Sequence, residues 1–241
     1  MSLRLETAML MAAGLGKRMR PLTATRPKPL IMVAGQPLMD HALDRIEEAG
    51  IRRTVVNVHY LADAIEAHLR ARARRTGAEY IISDERDQLL ETGGGLVKAL
   101  PLLGDQPFLC AASDNLWLNG PFDSIREMAA RWDPAIMDVL LLMIPHAYAT
   151  GHKGPGDFHM DGMGRVTRRR PGRLAPFVFT TVQIISPALI TDPPSDHFST
   201  NIFWDRAIAA GRAYGVVHPG LWFDVGTPEA IPLVEDGIAY G

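Results

Sequence analysis

The stretch that decides the fold of this chain is residues 8–30, which read AMLMAAGLGKRMRPLTATRPKPL. Its first six residues are all apolar, which is typical of a short strand buried on both faces of a parallel sheet. Gly14 and Gly16 follow and permit a tight turn, because glycine adopts backbone conformations that side chains forbid. Peptide N–H groups in such a loop can face phosphate oxygens. The stretch therefore predicts a buried strand followed by a phosphate-binding loop.

The same stretch carries the positive charge that a phosphate site needs. Arg18 offers a fixed fork of donors and Lys28 a mobile ammonium group. Two glycines by themselves leave an ordinary turn open as the alternative. The loop is not a Walker loop, because Arg18 follows Lys17 where a magnesium-binding Ser or Thr would stand. It also lacks the third glycine of the dinucleotide fingerprint.

The composition favours one large domain and argues against several classes of function. A chain of 241 residues that is 47% apolar can form one core with a smaller lobe. A net charge of -2 argues against nucleic-acid and membrane-surface binding. The basic run at 70–75 lacks interleaved aromatic residues, and we predict a solvated helix face there.

Cysteine content and the N-terminal sequence indicate the compartment. Cys110 is the only cysteine, so neither an intramolecular disulfide nor a cysteine metal cluster is possible. The first residues, MSLRLET, lack the long apolar stretch of a signal peptide. We therefore expect a cytoplasmic protein that does not enter the membrane.

Strand and helix patterns alternate along the chain. Helices are predicted over residues 37–49, 61–75, 93–100, 121–132 and 200–210, with a closing helix that starts at 227–229. Strands are predicted over residues 8–13, 54–58, 79–83, 107–113, 137–144, 177–185, 214–217 and 222–225, with a hairpin around 160–166. This order predicts an α/β fold, a Rossmann-like, doubly wound and mainly parallel mixed sheet with an inserted smaller lobe.

Polar side chains stand at or just after several of these strands. Asn57, Asp84-Glu85 and Asp114 are examples, and Asp224 lies near the end of the last strand. Ligands of such sheets bind beyond the carboxyl ends of the strands, so one site can collect these residues. Asp114 and Asp224 are candidate magnesium ligands, since Mg²⁺ prefers carboxylate oxygens. Their spacing alone leaves open that each merely caps a turn.

A second glycine cluster, Gly93-Gly94-Gly95, follows Leu90-Glu91-Thr92 and opens a predicted helix. Three successive glycines are costly in a helix unless the backbone must come close to something. A flexible helix cap is the alternative.

Taken together, these motifs resemble the sugar-1-phosphate nucleotidyltransferases, also called nucleoside-diphosphate-sugar pyrophosphorylases. The matching segments are 12–18, 21–23, 26–30, the Asp114 motif and V-G-T-P-E at 225–229, so the similarity covers nearly the whole chain. The resemblance implies transfer of a nucleotidyl group to a sugar 1-phosphate, with release of pyrophosphate and Mg²⁺ as cofactor. It implies that Arg18 holds the pyrophosphate, that Lys28 reaches the α-phosphate, and that Asp114 and Asp224 bind the metal.

The resemblance also implies how the two substrates are bound. For the nucleotide it implies Ala12, Ala13, Gly14, Gly16, Lys17, Asn57, Glu85, Thr92 and Gly93. For the sugar it implies Asp157, Lys153, Thr181 and Asn115, although Asp157 could instead stabilise only its own loop. The expected single nucleotidyltransferase domain comprises a nucleotide-binding part at about 1–135, a sugar-binding lobe at about 136–220, and a closing strand and helix at 221–241.

Within the family, residues 57–63, 89–95 and 156–158 resemble the uridylyltransferases of bacterial cell-wall recycling that act on N-acetylmuramate 1-phosphate. The expected substrates are therefore UTP or dTTP and that sugar phosphate, with glucose 1-phosphate and mannose 1-phosphate as alternatives. Thr181 stands where the family usually has glycine, which leaves the sugar open. A non-catalytic nucleotide-sugar sensor is the alternative of another class, but the retained Arg18, Lys28 and aspartates favour an enzyme. We expect a monomer or a small homo-oligomer.

Overall fold

The computed structural model describes residues 3–240. Within them the strands are β1 (Thr7–Met11), β2 (Met32–Val33), β3 (Gln36–Pro37), β4 (Arg53–Val58), β5 (Glu79–Asp84), β6 (Phe108–Ala112), β7 (Asn115–Leu118), β8 (Val139–Pro145), β9 (Ala149–Thr150), β10 (Phe158–Met160), β11 (Val166–Arg168), β12 (Phe177–Ile185), β13 (Ala213–Val217) and β14 (Leu221–Asp224). The α-helices are α1 (Leu38–Glu48), α2 (Ala62–Thr76), α3 (Glu91–Leu103), α4 (Ser124–Arg131), α5 (Asn201–Ala209) and α6 (Ala230–Tyr240).

The central sheet is mixed, and its middle is parallel. Strands β6, β1, β4 and β5 lie side by side in that order and run parallel. Strand β12 pairs antiparallel with both β6 and β8, and β13 pairs parallel with β8. The β10–β11 hairpin joins the sheet through β12. The predicted α/β fold with a doubly wound, mainly parallel mixed sheet is therefore confirmed.

Side chains of β1 alternate between two hydrophobic cores. Ala8 and Leu10 pack in the core that contains buried residues of α1, α2 and α4. Met9 packs in the opposite core, together with α3 and α5. Burial on both faces explains why the sequence of this strand is continuously apolar. Among residues 3–240, no helix combines the length and the apolar character needed to cross a membrane.

Some element boundaries differ from the predicted ones. The strand predicted over 8–13 ends at Met11, because the N–H of Ala12 donates to the Asn57 side chain instead of to a neighbouring strand. Helix α3 begins two residues earlier and extends three residues further than predicted. The closing helix begins at Ala230, after a turn in which the Ala230 N–H donates to the Thr227 carbonyl.

A smaller sheet adjoins the central one. It consists of β7, β14 and β9, and it packs with α6 around Leu116, Phe223 and Val234. Strands β8, β12 and β13 come from the segment predicted as the sugar-binding lobe, and they extend the central sheet. The division of the chain into a nucleotide part and a sugar part stays a prediction.

The composition of the basic run at 70–75 predicted a solvated helix face, and this prediction is only partly correct. Arg72 is only 3% exposed, and its guanidinium donates to Asp44 at 2.7 Å and to Glu47 at 2.9 Å. Burial, together with a hydrogen bond to Glu47, raises the pKa of the neighbouring Tyr80 to about 12. Arg72 therefore joins α2 to α1, because a buried cation requires carboxylate partners.

Candidate active site

The first peptide after β1 is held by two buried side chains. Asn57 accepts the N–H of Ala12 at 2.7 Å and donates to Glu85 Oε1 at 2.8 Å. The other Glu85 oxygen accepts the N–H of Leu90 at 3.2 Å. Glu85 has no exposed surface, so it positions Asn57 and the segment at Leu90 from behind the site. The predicted direct contact between Glu85 and a nucleotide would need surface that this side chain does not expose.

The two glycines of the loop serve different purposes. Gly16 has a φ of 60°, and a Cβ there would lie 2.9 Å from Thr23 Cγ2 and 3.0 Å from Lys28 Cβ. A Cβ on the exposed Gly14 would meet no atom within 4 Å. Gly16 therefore makes the turn, whereas Gly14 keeps open the space beside the loop.

This loop forms one wall of a cavity of about 550 Å³. The cavity is lined by Met11, Ala12, Ala13, Gly14, Lys28, Pro29, Asn57, Leu89, Glu91, Thr92, Ala112, Ser113, Asp114, Thr181 and Ser199. An adjoining cavity of about 360 Å³ shares Gly14, Lys28, Leu89 and Asp114 with it, and adds Leu15, Gly16, Lys17, Arg18, Met19 and Gly226. We call the two together the active-site cleft. It joins residues that lie far apart in the sequence, as the strand order predicted.

A cation and a carboxylate are in direct contact in the cleft. Lys28 Nζ donates to Asp114 Oδ2 at 2.7 Å. Lys28 is only 8% exposed, whereas the Asp114 side chain is 36% exposed. The ion pair thus holds the ammonium group at the cleft surface and leaves part of the carboxylate accessible.

Asp224 lies beside this ion pair. It is the last residue of β14 and is in register with Asn115, the neighbour of Asp114. Burial, and then the negative charge of Asp114, raise the pKa of Asp224 above its ordinary value, while Lys28, Arg18 and His152 oppose the shift. The two aspartates are therefore close enough to repel each other, and Asp224 also lies within range of the charges of Lys28 and Arg18.

The space between Arg18 and Asp224 depends on Gly226. A Cβ at Gly226 would lie 3.1 Å from Arg18 Nη1 and 3.2 Å from Asp224 Oδ1. The glycine of the V-G-T-P-E motif thus lets the guanidinium and the carboxylate approach the same backbone position.

The residues present fit a divalent cation that arrives with a phosphate ligand. Asp114 and Asp224 supply hard oxygen donors, and their mutual repulsion is what a bound cation would relieve. Among residues 3–240, no group of three or more His, Cys, Asp and Glu side chains could hold a metal by itself. Two carboxylates, with phosphate oxygens and water completing the shell, are the usual protein contribution to a magnesium site.

The second glycine cluster is explained by contacts within the protein. A Cβ at Gly93 would lie 2.5 Å from the Phe198 ring, and one at Gly94 would overlap the carbonyl oxygen of Asp196. A Cβ at Gly95 would lie 2.9 Å from Glu85 Oε1. The N–H of Gly93 donates to the Phe198 carbonyl at 2.8 Å, so this peptide group is already paired. The prediction that another group comes close to the backbone of this glycine cluster is correct. The groups that do so belong to other segments of the protein itself.

The predicted sugar-side residues do not all reach the cleft. Thr181 lines it and accepts a hydrogen bond from Asn115 Nδ2 at 2.9 Å. The Asp157 carboxylate instead accepts the N–H of Phe179 at 2.9 Å, so it stabilises β12. Lys153 is exposed; the pKa of Glu229 is lowered chiefly by a backbone hydrogen bond and one to Thr227, and the charge of Lys153 adds to this. Contacts of Asp157 and Lys153 with a sugar stay predictions.

Sequence reasoning missed several residues of the cleft. Leu89 and Glu91 line it directly before the glycine cluster, and Glu91 has a φ of 59°. Ser199 enters from the segment that packs on Gly93, far away in the sequence. His152 lies close enough to influence the pKa of Asp224. Only Leu89 and Glu91 adjoin a recognisable motif; nothing in the sequence around Ser199 or His152 indicates the cleft.

Fold and site together define a class: an α/β protein whose parallel strands end at a cleft suited to a nucleotide's phosphates and a divalent cation. A sequence model of the family described as "Nucleotidyl transferase" matches residues 7–167. The chain belongs to this family.

Two relatives match over almost their whole length. N-acetylmuramate alpha-1-phosphate uridylyltransferase of Caulobacter vibrioides is 46% identical over 235 residues, which are 97% of this chain and 97% of the relative. The protein of the same name from Neisseria meningitidis serogroup B is 34% identical, over 91% of this chain and 93% of the relative.

Solved structures share the fold at much lower sequence identity. A putative glucose-1-phosphate thymidylyltransferase from Bacillus anthracis superposes with a TM-score of 0.82 at 13% identity, covering 98% of this chain and 96% of that one. A UDP-glucose pyrophosphorylase complexed with UDP-glucose gives a TM-score of 0.79 at 14% identity, covering 98% and 99%. The chain thus belongs to the nucleotidyltransferase family and shares the fold of these structures.

Proposed function

We propose that this protein transfers the uridylyl group of UTP to N-acetylmuramate 1-phosphate, giving the UDP-sugar and pyrophosphate. The observation that carries the proposal is the contact between Lys28 and Asp114 at 2.7 Å, with Asp224 beside it and the glycine loop along one wall of the cleft. The two uridylyltransferase relatives support the choice of UTP and of the sugar.

The reaction needs alignment and charge stabilisation more than it needs a general base. An ionised phosphate oxygen of the sugar 1-phosphate attacks the α-phosphorus of UTP, and the bond from that phosphorus to the pyrophosphate oxygen breaks with its electron pair. The nucleophile carries no proton that must be removed, so no general base is required. Because it displaces pyrophosphate directly, no covalent enzyme intermediate is required either.

Lys28 and Arg18 have separate tasks in this scheme. The buried Lys28 is fixed by Asp114, so its ammonium group is held in place to neutralise charge on the α-phosphate. The exposed Arg18 borders the adjoining cavity together with Gly14 and Gly16, and we assign it to the departing pyrophosphate.

Asp114 and Asp224 would hold Mg²⁺. When bound, the cation supplies electrostatic stabilisation of the phosphate charge. At the cleft, the positive charges of Lys17, Arg18 and Lys28 equal in number the negative charges of Glu91, Asp114 and Asp224, so these side chains together offer little net attraction for a triphosphate. This balance supports binding of the nucleotide together with a divalent cation.

We place the base in the cavity of about 550 Å³, beside Asn57, Leu89 and Thr92. The Asn57 side-chain amide already forms hydrogen bonds with Ala12 and Glu85, so we assign it to positioning the glycine loop and not to direct contact with the base. Because the Gly93 N–H already donates to the Phe198 carbonyl, hydrogen bonds to the uracil base must come from other groups of this segment. The reaction belongs to the cytoplasm, where nucleoside triphosphates and sugar phosphates are formed.

The test is pyrophosphate release from a panel of nucleoside triphosphates and sugar 1-phosphates at fixed Mg²⁺. The panel contains UTP, dTTP, CTP, GTP and ATP against N-acetylmuramate, N-acetylglucosamine, glucose and mannose 1-phosphates. We expect the highest kcat/KM for UTP with N-acetylmuramate 1-phosphate, and loss of turnover in the matched control Lys28→Ala. A higher kcat/KM for another pair would replace the proposed substrates. Tight binding of a UDP-sugar without turnover of any pair would instead identify a sensor.

A further inference from the structure

Thr181 adopts a backbone conformation that its side chain disfavours. Its φ is 69°, in the left-handed region that glycine enters freely and β-branched residues rarely occupy. It lies in the irregular part of β12, where the pairing with β8 shifts register between Phe179 and Gln183. The chain therefore carries a branched side chain here at a conformational cost that glycine would avoid.

The surrounding structure fixes this conformation. The hydroxyl of Thr180 donates to the Leu142 carbonyl at 2.8 Å, and the Thr180 carbonyl accepts from Trp222 Nε1 at 3.2 Å. On the preceding side, the Asp157 carboxylate accepts the N–H of Phe179. Hydrogen bonds to the neighbouring residues 179 and 180 therefore fix the backbone at 181, and this backbone conformation sets the direction of the Thr181 side chain. Residues held in such conformations are frequent in ligand-binding sites.

Thr181 and Asn115 have hydrogen-bonding capacity that the protein does not use. Asn115 Nδ2 donates to Thr181 Oγ1 at 2.9 Å, which leaves the hydroxyl proton of Thr181 for another acceptor. Asn115 is 5% exposed, and among residues 3–240 its Oδ1 has no hydrogen-bond partner. Unpaired buried polar atoms are rare in folded proteins and call for an explanation. Thr181 lines the cleft, so a bound ligand can reach its hydroxyl group.

We propose that Thr181 is a specificity-determining residue for the sugar 1-phosphate. Its hydroxyl donates a hydrogen bond to an acceptor oxygen on a substituent of the sugar, and its methyl group limits the space beside that substituent. Asn115 is a positioning residue, because its amide fixes the orientation of the Thr181 hydroxyl. This inference rests on the proposed function and narrows it to one contact with the acceptor.

Three substitutions separate the hydroxyl from the shape of the side chain. Thr181→Val keeps the branched shape and removes the hydroxyl, Thr181→Ser keeps the hydroxyl, and Thr181→Gly removes both. The matched control is Asp192→Gly, since Asp192 also has a positive φ, of 46°, but does not line the cleft. Michaelis constants for UTP and for N-acetylmuramate 1-phosphate are measured for each variant, with glucose 1-phosphate as the comparison acceptor.

We expect Thr181→Val and Thr181→Gly to raise the KM for N-acetylmuramate 1-phosphate about five- to tenfold, as loss of one hydrogen bond predicts. The KM for UTP should stay within about twofold of the wild-type value, and Thr181→Ser should retain most of the sugar affinity. Thr181→Gly should also lower the ratio of kcat/KM for N-acetylmuramate 1-phosphate to that for glucose 1-phosphate. Asp192→Gly should leave this ratio unchanged.

A merely structural Thr181 would lower the unfolding temperature in some variants without changing the preference between acceptors, and that result overturns the inference. A rise in the KM for UTP alone overturns it too. If wild-type enzyme turns over none of the acceptors, the proposed function fails; calorimetric binding of N-acetylmuramate 1-phosphate to wild type and Thr181→Val then decides. Equal affinities, or no binding to wild type, would refute the inference.

Discussion

Asp114 in the cleft and Asp224 beside it should respond in opposite ways when each is replaced by asparagine. The charged form of Asp114 is stabilised by its ion pair with Lys28 at 2.7 Å. The charged form of Asp224 is instead disfavoured by burial and by the charge of Asp114. Because the pKa of Asp224 is raised in the folded protein, its favourable contribution is present at low pH and is lost as pH rises through that pKa. At a pH where Asp224 is ionised, and without metal, its charge therefore lowers stability.

The size of the Asp114 effect follows from its ion pair. A hydrogen bond between charged groups contributes about 1.5–3 kcal/mol, and the 36% exposure of Asp114 reduces this to about 1–2 kcal/mol. For a domain of 241 residues this lowers the unfolding temperature by roughly 2–8 °C. Asp224→Asn should raise the unfolding temperature, because it removes a charge that burial disfavours. Both variants should lose activity by about a hundredfold or more, since each removes a metal carboxylate.

The assay combines calorimetric unfolding in EDTA at neutral pH with pyrophosphate release at saturating Mg²⁺. Repeating the unfolding of wild type and Asp224→Asn at acidic pH, where Asp224 is protonated, should bring their unfolding temperatures closer together. If both variants are destabilised equally at neutral pH, the electrostatic description of the cleft is incorrect. If either variant keeps near-normal turnover at limiting Mg²⁺, that aspartate is structural.

The two glycine clusters and two further residues give additional tests. Gly94→Ala should destabilise the protein by about 1–3 kcal/mol, because its Cβ would overlap the Asp196 carbonyl, whereas Gly14→Ala should leave the unfolding temperature unchanged and raise the KM for UTP. The opposite pattern would reverse these assignments. Arg18→Lys should fold normally and lose about tenfold in kcat/KM, because an ammonium group does not replace a bidentate fork; wild-type kinetics would exclude that role. Burial raises the pKa of Cys110 to about 12, so a thiol reagent at pH 8 should label the unfolded but not the native protein; rapid native labelling would contradict this burial.

The sequence predicted those features that depend on short-range pattern. The apolar run before Gly14 defines a central strand, and such a strand must deliver its following loop to the carboxyl edge of the sheet. Asp114 follows the strand next to it, so the two meet through sheet topology alone. The meeting of the glycine loop and Asp114 therefore requires no knowledge of distant side-chain packing. The contact between Lys28 and Asp114 was not predicted, because it depends on how the loop between β1 and β2 folds back over that edge.

The sequence could not show which groups approach a glycine or surround a charge. Gly93 is required by the Phe198 ring, which is separated from it by more than a hundred residues. Arg72 belongs to a basic run, yet carboxylates of α1 bury it. Glu85 follows a strand as ligand-binding residues do, but it points behind the loop. In each case the outcome is decided by tertiary contacts that local patterns do not encode.

The cleft combines groups that stabilise the fold with one that opposes it. Lys28 and Asp114 neutralise each other, so their pairing contributes to stability before any substrate binds. Asp224 gains less from these neighbours than burial and the charge of Asp114 cost it, since the net effect is a raised pKa. An ionised carboxylate in that environment is unfavourable for the protein alone and favourable for a divalent cation. Stability is therefore lowered at the position where the bound metal and nucleotide would restore it.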